Sequence, residues 1–217
     1  MLSEKPGELI KYTTNGSEPT INSLTYHNPI KINQRTVIKA SMFINGIQKG
    51  KTSRKTIFFS KAIGKKVKYN SQYSDRYTGS GPLTLVDGLT GSIAHNDNYW
   101  QGWQEDDMDV TIDLSKVESI SRVSMGFLES HGSWIFLPTH VMVSFSNDGT
   151  SYKKQVEIQI ADGKRGSAAN RVECESENLN ISARYVRVKA INRKKCPEWH
   201  PGSGGKTWVF SDEIIVE

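Results

Sequence analysis

The sequence predicts an all-β protein made of two β-sandwich units in tandem. Hydrophobic and polar residues alternate in four segments, as expected for strands that bury one face. Turn signals such as Asn147-Asp148-Gly149 and Pro201-Gly202 separate these segments. No segment keeps a helical hydrophobic period for more than about three turns. Many short strands joined by such turns are typical of a sandwich or jelly roll.

The alternating segments define strands of the larger, C-terminal unit. A further turn is predicted at Asp162-Gly163. Because successive side chains of a strand point to opposite faces, every second residue of each segment is expected to lie in the core. These inward residues are Val110, Ile112 and Leu114; Val123, Met125 and Phe127; Val141, Val143 and Phe145; and Val186, Val188 and Ala190.

The N-terminal part predicts a separate small unit. Strands are expected at residues 9–14, 24–32, 36–44 and 47–59, with hairpin turns at Asn15-Gly16 and Asn45-Gly46. A unit of this size holds only a small core. The basic segment 60–66 reads as a connector. We therefore expect domains at residues 1–62 and 63–217.

Composition excludes several classes of protein. The chain has 217 residues, 36% hydrophobic and 24% charged, which is typical of a soluble globular protein. The net charge of +5 is spread over scattered lysines and arginines without a nucleic-acid-binding motif, so no nucleic-acid partner is expected. No apolar run reaches the roughly 20 residues of a membrane span, so no membrane insertion is expected. The abrupt N-terminus has no signal-peptide core and predicts a piece of a longer protein.

The two cysteines, Cys174 and Cys196, are too few for a disulfide scaffold and have no metal-binding spacing. A disulfide between them and two ordinary thiols are both open at this stage.

The N-terminal unit resembles a known small β domain. The matching residues are Ile10 to Thr20 (IKYTTNGSEPT), Tyr26, Pro29-Ile30, Ile38-Lys39-Ala40 and Asn45-Gly46. They are similar to the immunoglobulin-like domain that follows the catalytic barrel in bacterial chitobiases and β-N-acetylhexosaminidases, with Asn15 where Asp is usual. The resemblance implies a small immunoglobulin-like sandwich whose first strand is partly missing.

The C-terminal unit carries a second set of recognisable pieces in a fixed order. They are Asp87-Gly88, Trp103, Val110 to Leu114, Leu137-Pro138, Ser146 to Gly149, Ala183 to Val188 and Trp208 to Ile214. In their order and spacing they resemble the coagulation-factor type C, or discoidin, domain, a jelly roll shared by family 32 carbohydrate-binding modules. The tandem order of the two units is similar to the C-terminal region of family 20 β-N-acetylhexosaminidases of Bacteroidetes.

The discoidin resemblance implies one structural calcium ion. Calcium takes six to eight hard oxygen ligands. The resemblance assigns carboxylate ligands to Asp87 and Glu213, and further oxygens to Thr84, Leu89 and Ser92. The loop 88–92 departs from the Asn and Thr that are usual in the family. The alternative is that Asp87 caps a turn and Glu213 is a surface strand residue.

The resemblance also implies a sugar site on loops at one end of the sandwich. Sugar rings stack on indole through their C–H faces, while their polar edges take hydrogen bonds. The alternatives are core positions for the tryptophans, as expected for Trp103 and Trp208, or an interface with an absent catalytic barrel. The candidate contacts, with Trp199 as the platform, are Trp199, Trp100, Trp134, His131 and His200.

No catalytic constellation is expected in this chain. The acidic segment Glu105-Asp106-Asp107-Asp109 could suggest paired carboxylates, but it precedes a strand and reads as a solvated loop. A catalytic barrel needs about 250 residues, and this chain is shorter. The motifs GxSxG and HExxH and a phosphate-binding glycine loop are all missing.

The sequence therefore predicts non-catalytic carbohydrate-binding modules of a larger glycoside hydrolase, by resemblance a β-N-acetylhexosaminidase. The resemblance implies galactose- or N-acetylhexosamine-type glycans and the parent catalytic domain as partners, calcium as the cofactor, and a periplasmic, outer-membrane-associated or extracellular location in a bacterium. The leading alternative is structural bracing of the catalytic barrel. Protein or phospholipid adhesion through Trp134-Ile135-Phe136 is a third reading.

Overall fold

The computed structural model describes residues 7–32, 34–161, 163, 165–176 and 178–217. The all-β class is confirmed, because the described residues form thirteen strands and two three-residue 3-10 turns. The chain divides into two compact units, Met1–Phe59 and Ser60–Glu217, which are described separately below. Asp162, half of one predicted turn, and the N-terminal residues 1–6 lie outside the described residues.

The N-terminal unit contains one four-stranded antiparallel sheet with the order β2-β1-β3-β4. The hairpin at Asn45-Gly46 is confirmed, since both residues have the positive φ that a type I′ turn requires, 50° and 80°. Its strands are β1 (Glu8–Thr13), β2 (Leu24–Thr25), β3 (Thr36–Ile44) and β4 (Ile47–Ile57).

Two details of this unit correct the expectations. The segment Asn15-Gly16 is not a two-residue hairpin, because the Asn15 side chain accepts hydrogen bonds from the Ser17 amide and hydroxyl and forms a local turn. The strand expected at 24–32 contains only Leu24–Thr25. Pro29, which lacks an amide hydrogen for a ladder, lies in the part that is not a strand.

The C-terminal unit contains two antiparallel sheets. One has five strands in the order β10-β9-β12-β7-β5, and the other has four in the order β11-β8-β13-β6. The strands are β5 (Lys66–Tyr69), β6 (Gln101–Gln104), β7 (Met108–Ile120), β8 (Val123–Glu129), β9 (His140–Ser146), β10 (Lys154–Gln159), β11 (Asn170–Ser176), β12 (Ile181–Ala190) and β13 (Trp208–Val216).

All twelve predicted inward residues of this unit are buried in its main hydrophobic core, which confirms the four predicted strands. Trp103 and Trp208 are also buried, as expected. Cys174 and Cys196 are both free and buried, so the disulfide is not formed. Burial raises the pKa of the Cys174 thiol to about 11, which keeps it protonated and unreactive.

Two long connections meet at one end of this unit. The chain leaves β8 at Glu129 and β12 at Ala190, and it enters β13 at Trp208. Backbone hydrogen bonds from Phe136 to Trp208 and from Trp208 to Trp134 join loop 130–139 to the start of β13. The topology therefore places loops 130–139 and 191–207 side by side. Across the described residues, no helix has the length and apolar character to cross a membrane.

Candidate functional site

Four of the five predicted sugar contacts come together in one aromatic cluster. His131 and Trp134 come from loop 130–139, and Trp199 and His200 come from loop 191–207. The ring centroids of His131 and Trp199 are 5.0 Å apart, and those of Trp134 and His200 are 5.6 Å apart. Phe136, which was not among the predicted sugar contacts, stacks on His131 with their ring centroids 4.8 Å apart. We call these five residues the aromatic cluster.

Trp134 is the exposed member of the aromatic cluster, with 44% of its surface accessible. It closes the 3-10 turn His131–Ser133 with a left-handed φ of 58°, which is unusual for a bulky side chain. Gly202 lies against its indole, since a Cβ at that position would be 2.3 Å from Trp134 Nε1. Strained backbone of this kind persists where the surroundings fix it, often at ligand sites.

His200 holds the two loops together. Its Nδ1 accepts a hydrogen bond from the Gly202 amide at 3.0 Å, so the ring proton is on Nε2, which donates to the His131 carbonyl at 2.8 Å. The ring is buried, and both nitrogens are engaged. His200 therefore positions the aromatic cluster and has no ring nitrogen left for a sugar hydroxyl.

His131 is also buried and acts together with Glu129 at the end of β8. Its Nε2 lies 2.9 Å from Glu129 Oε1, while its Nδ1 is buried without a hydrogen-bond partner among the described residues. The backbone passes very close to this carboxylate at Gly163, where a Cβ would be 1.6 Å from Glu129 Oε1. Only glycine can occupy position 163 without displacing the Glu129–His131 pair.

A shallow cleft lies next to the Glu129–His131 pair. Its volume of about 30 Å³ corresponds to roughly one water molecule, so a sugar ring would contact its rim rather than its interior. Trp199 is half-buried at this rim, and the Arg165 guanidinium lies 5.9 Å from its ring centroid. The cleft is lined by Glu129, His131, Phe136, Leu137, Gly163, Arg193, Pro197 and Trp199.

Asn192 anchors the loop that carries Trp199. Its side chain is buried, and its Nδ2 donates to the carbonyls of Trp103, Asp106 and Thr207 at 3.1–3.4 Å. Its Oδ1 accepts the Thr207 hydroxyl and the Lys194 amide at 2.8 and 2.9 Å. The Asn192 side chain thus forms hydrogen bonds with residues near both ends of loop 191–207.

Trp100 does not belong to this site, which corrects the expectation for that residue. It is only 1% exposed and lies in a second core cluster with Leu128, Ile135, Trp208 and Phe210. Its indole nitrogen donates to the Ser92 carbonyl at 3.1 Å. A buried ring offers no face for stacking on a sugar.

Glu213 lies outside the aromatic cluster, close to the carboxylates of Asp87 and Asp212. Strand β13 has a bulge between Ser211 and Ile214, and Glu213 is 2% exposed, so the reading of Glu213 as a surface residue is wrong. Its Oε2 accepts the Gly88 amide at 3.1 Å, while its Oε1 is buried without a partner among the described residues. Burial, and to a lesser degree the charges of Asp87 and Asp212, raises its pKa to about 9.

The other expected calcium ligands are exposed or take part in other hydrogen bonds. Asp87 accepts hydrogen bonds from the Ser80 hydroxyl and the Leu89 amide, so it does cap a turn. Thr84 turns its hydroxyl toward the Gly81 carbonyl. Leu89 and Ser92 are exposed, and the Ser92 carbonyl already accepts the Trp100 indole N–H. Among the described residues, no group of three or more His, Cys, Asp or Glu side chains forms a metal cluster.

Sequence reasoning missed the buried ion pair beside Glu213. Arg171 Nε and Nη2 bind Asp212 at 2.5 and 3.1 Å, and the Gly91 amide adds a hydrogen bond at 2.8 Å. A Cβ on Gly126 would be 2.1 Å from Asp212 Oδ1, so glycine makes room for the pair. Asp212 is thereby occupied by Arg171 and is not a candidate metal ligand.

The acidic segment at the start of β7 is partly solvated, as read from the sequence, except for Asp109, which is buried in the strand. Glu105 pairs with Lys206 at 2.5 Å, and Asp107 pairs with Lys194 at 2.8 Å. Asp109 is buried and binds Arg187 through both of its oxygens. These carboxylates hold strands and loops together, and none lies in the aromatic cluster.

Comparisons with known proteins agree with this architecture. The F5/8 type C domain profile matches residues 66–209, that is 144 of the 217 residues, and the Fn3 associated profile matches residues 1–57. No curated protein matches the sequence.

Solved structures to which this chain is similar include three glycan-binding modules. The lectin domain of lectinolysin with Lewis B antigen is 17% identical, covers 73% of this chain and 96% of its own, and has a TM-score of 0.45. A Streptococcus pneumoniae fucose-binding module has 14% identity, 74% and 98% coverage and a TM-score of 0.47. A Clostridium perfringens module with GalNAc-β-1,3-galactose has 18% identity, 70% and 93% coverage and a TM-score of 0.45. By the match over residues 66–209, the chain belongs to the F5/8 type C domain family.

Proposed function

We propose that this chain is a non-catalytic carbohydrate-binding part of a larger glycoside hydrolase, one that resembles a β-N-acetylhexosaminidase. Its C-terminal unit would bind galactose- or N-acetylhexosamine-type glycans at the aromatic cluster. The parent enzyme would act in the periplasm, at the outer membrane or outside a bacterial cell. A weak sugar site tethered to a catalytic domain raises the local substrate concentration.

The exposed indole of Trp134 and the half-buried ring of Trp199, both packed against His200, are the observation that carries this proposal. An exposed tryptophan held at a strained backbone angle, and backed by His200, is a rigid apolar surface. A pyranose ring can stack its C–H face on such a surface. Arg165, near the Trp199 ring, can donate hydrogen bonds to the polar edge of the sugar.

A structural calcium ion at Glu213 is part of the proposal. The residues fit a cation, because Glu213 Oε1 is a buried carboxylate oxygen without a partner and Asp87 adds a second carboxylate nearby. Loop carbonyls at Thr84, Leu89 and Ser92 would complete a set of hard oxygens. A bound calcium ion would supply the positive charge that a buried Glu213 carboxylate lacks. Its role would be structural, since it would tie loop 84–92 to β13.

Bracing of the absent catalytic barrel is the second candidate function, and exposed apolar side chains favour it. They lie on loop 83–99, away from the aromatic cluster in sequence. Exposed apolar patches often mark protein interfaces. These side chains are Leu83, Leu89, Ile93 and Tyr99, which are 46, 49, 62 and 41% exposed.

A glycan array separates the two functions. The wild-type chain is assayed with calcium and with EDTA, alongside Trp199→Ala and Trp134→Ala. Tyr99→Ala is the matched control, because it removes an exposed aromatic ring outside the aromatic cluster. We expect selective binding of galactosyl or N-acetylhexosaminyl glycans that falls at least tenfold in both tryptophan variants and is unchanged in the control. A blank array from folded, calcium-loaded protein would reject glycan binding and favour bracing.

A further inference from the structure

A second concave surface lies on the outer face of the five-stranded sheet. It is a groove of about 490 Å³, within the usual range for ligand pockets. Strands β5, β7 and β12 form its floor, and the turn after β9 forms one wall. It is lined by Lys66, Lys68, Asn70, Thr111, Asp113, Gly149, Thr150, Tyr152, Tyr185 and Arg187. None of these residues belongs to the aromatic cluster.

Strand register explains why these side chains converge. Lys66 and Tyr185 both pair with Asp113, and Lys68 and Arg187 both pair with Thr111. Side chains at paired positions lie on the same face of a sheet. Two rows of polar residues therefore cross three strands on the solvent side, opposite the core residues Val110 and Ile112.

Asp113 lines the groove, Asp109 binds its lining residues Asn70 and Arg187, and each carboxylate is paired with an arginine. Asp113 accepts two hydrogen bonds from Arg184 at 2.7 and 2.8 Å, which lower the pKa of its carboxyl. Burial alone would raise the pKa of Asp109, but hydrogen bonds from Arg187 and Asn70 outweigh it and hold that pKa below its ordinary value. Both acids are therefore ionised, and their charges are balanced locally.

The two lysines leave the groove with excess positive charge. Lys66 and Lys68 form no ion pair within 4.0 Å among the described residues, and both are exposed on β5. Lys66 also acts on Asp113 through its charge, but the four cations Arg184, Arg187, Lys66 and Lys68 outnumber the two aspartates by two. The hydroxyls of Tyr152 and Tyr185 also have no hydrogen-bond partner in the described part of the chain. The available polar groups of the groove can thus donate hydrogen bonds to an acceptor-rich, negatively charged ligand.

The aromatic rings of the groove are held in place by a tight turn. Asp148 Oδ1 accepts the amides of Thr150 and Ser151 at 2.8 Å each, which fixes the turn that precedes Tyr152. Gly149 has a φ of 75° and lies over Tyr185, where a Cβ would be 3.3–3.4 Å from the ring. The Tyr152 ring is 6.0 Å from the Arg187 guanidinium. Two preformed rings beside cationic side chains suit a chain of sugar rings, which stack and hydrogen-bond at once.

From this geometry we propose that the groove binds an anionic oligosaccharide, one whose sugar rings carry carboxylate or sulfate groups. Tyr152 and Tyr185 would contact the ring faces, and Lys66 and Lys68 would contact the acidic groups. This site is separate from the aromatic cluster and has a different ligand preference, so either site can fail without the other.

Affinity electrophoresis at about 0.15 M salt tests this proposal, because that salt screens charges farther apart than roughly 8 Å. The gels contain polygalacturonate, chondroitin sulfate or neutral dextran, so the carboxylate and sulfate arms are read separately. The variants are Lys66→Gln/Lys68→Gln, Tyr152→Ala and Trp199→Ala. The matched control is Lys49→Gln/Lys51→Gln, which removes the same charge from two exposed lysines of β4. Thermal melts verify that each variant is folded.

We expect retardation by at least one anionic polysaccharide and none by dextran. The Lys66/Lys68 variant should lose at least tenfold in affinity and Tyr152→Ala about fivefold, while the Lys49/Lys51 and Trp199 variants keep the wild-type value. If both double-lysine variants lose the same affinity, net charge and not the groove explains the binding, and the proposal is overturned. Absence of retardation, or tighter binding of a single-stranded oligonucleotide than of either polysaccharide, would also overturn it.

Discussion

Removal of the Asn192 side chain should loosen the loop that carries Trp199. In Asn192→Ala, the Thr207 hydroxyl and the Lys194 amide lose their acceptor, and three backbone carbonyls lose a shared donor. A buried hydrogen bond contributes about 1 kcal/mol net, and three or four effective bonds are lost. We therefore expect the free energy of unfolding to fall by about 3 kcal/mol.

Calorimetry measures this loss directly. A domain of this size loses roughly 2–4 °C of Tm per kcal/mol, so Asn192→Ala should melt about 9 °C lower than the wild type. Asn192→Asp should be at least as damaging, because it directs a carboxylate at the carbonyls of Trp103, Asp106 and Thr207. Asn180→Ala is the control, since Asn180 is exposed and its carbonyl, not its side chain, accepts from Lys154.

The same variant links stability to binding. Loop 191–207 carries Trp199 and His200, so glycan affinity in Asn192→Ala should fall even at a temperature where the protein is folded. An Asn192→Ala protein that melts within about 1 °C of the wild type would refute the view that this side chain anchors the loop.

Two further predictions concern Glu213 and Gly202. In EDTA, Glu213 is protonated when folded, with a pKa of about 9 against an ordinary 4.5, so unfolding above pH 5 releases a proton. Stability of the metal-free protein should thus be fully present below about pH 5 and fall by about 1.4 kcal/mol per pH unit up to about pH 9. Thermal melts from pH 5 to 9 measure this slope, and Glu213→Gln should abolish both the slope and the stabilisation by calcium. A slope that is unchanged in Glu213→Gln would show that Glu213 is not the titrating group. Gly202→Ala should displace the Trp134 indole and weaken glycan binding several-fold in calorimetric titrations, whereas Gly132→Ala, which has open space around it, should bind like the wild type.

The strands were predictable because they depend on local patterns, whereas the candidate residues of the aromatic cluster were selected through the discoidin resemblance. Alternation at Val110 to Leu114 identifies a half-buried strand without knowledge of its neighbours. Trp134 and Trp199 were selected because the resemblance puts sugar-contacting residues in the loops 130–134 and 196–205. Trp100 was misplaced because a tryptophan in a loop next to a strand gives no sequence signal of whether it turns inward.

The remaining features depend on partners far apart in sequence. Lys66 and Tyr185 share a groove only because both strands pair with Asp113, and strand register is not visible in the segments themselves. The pair Arg171–Asp212 joins β11 to β13 across 41 positions. The sequence did offer one clue, since Gly126 lies inside a predicted strand where no turn requires a glycine.

Strand β13 lies inside its sheet, between β8 and β6, although it follows every other strand in the chain. During synthesis, the edges of β8 and β6 that pair with β13 therefore stay unpaired until residues 208–216 have left the ribosome. Open strand edges of this kind invite pairing with other chains. The C-terminal unit should consequently fold only after residues 208–216 have left the ribosome. A premature stop before Trp208 would then yield an aggregating product rather than a shorter module.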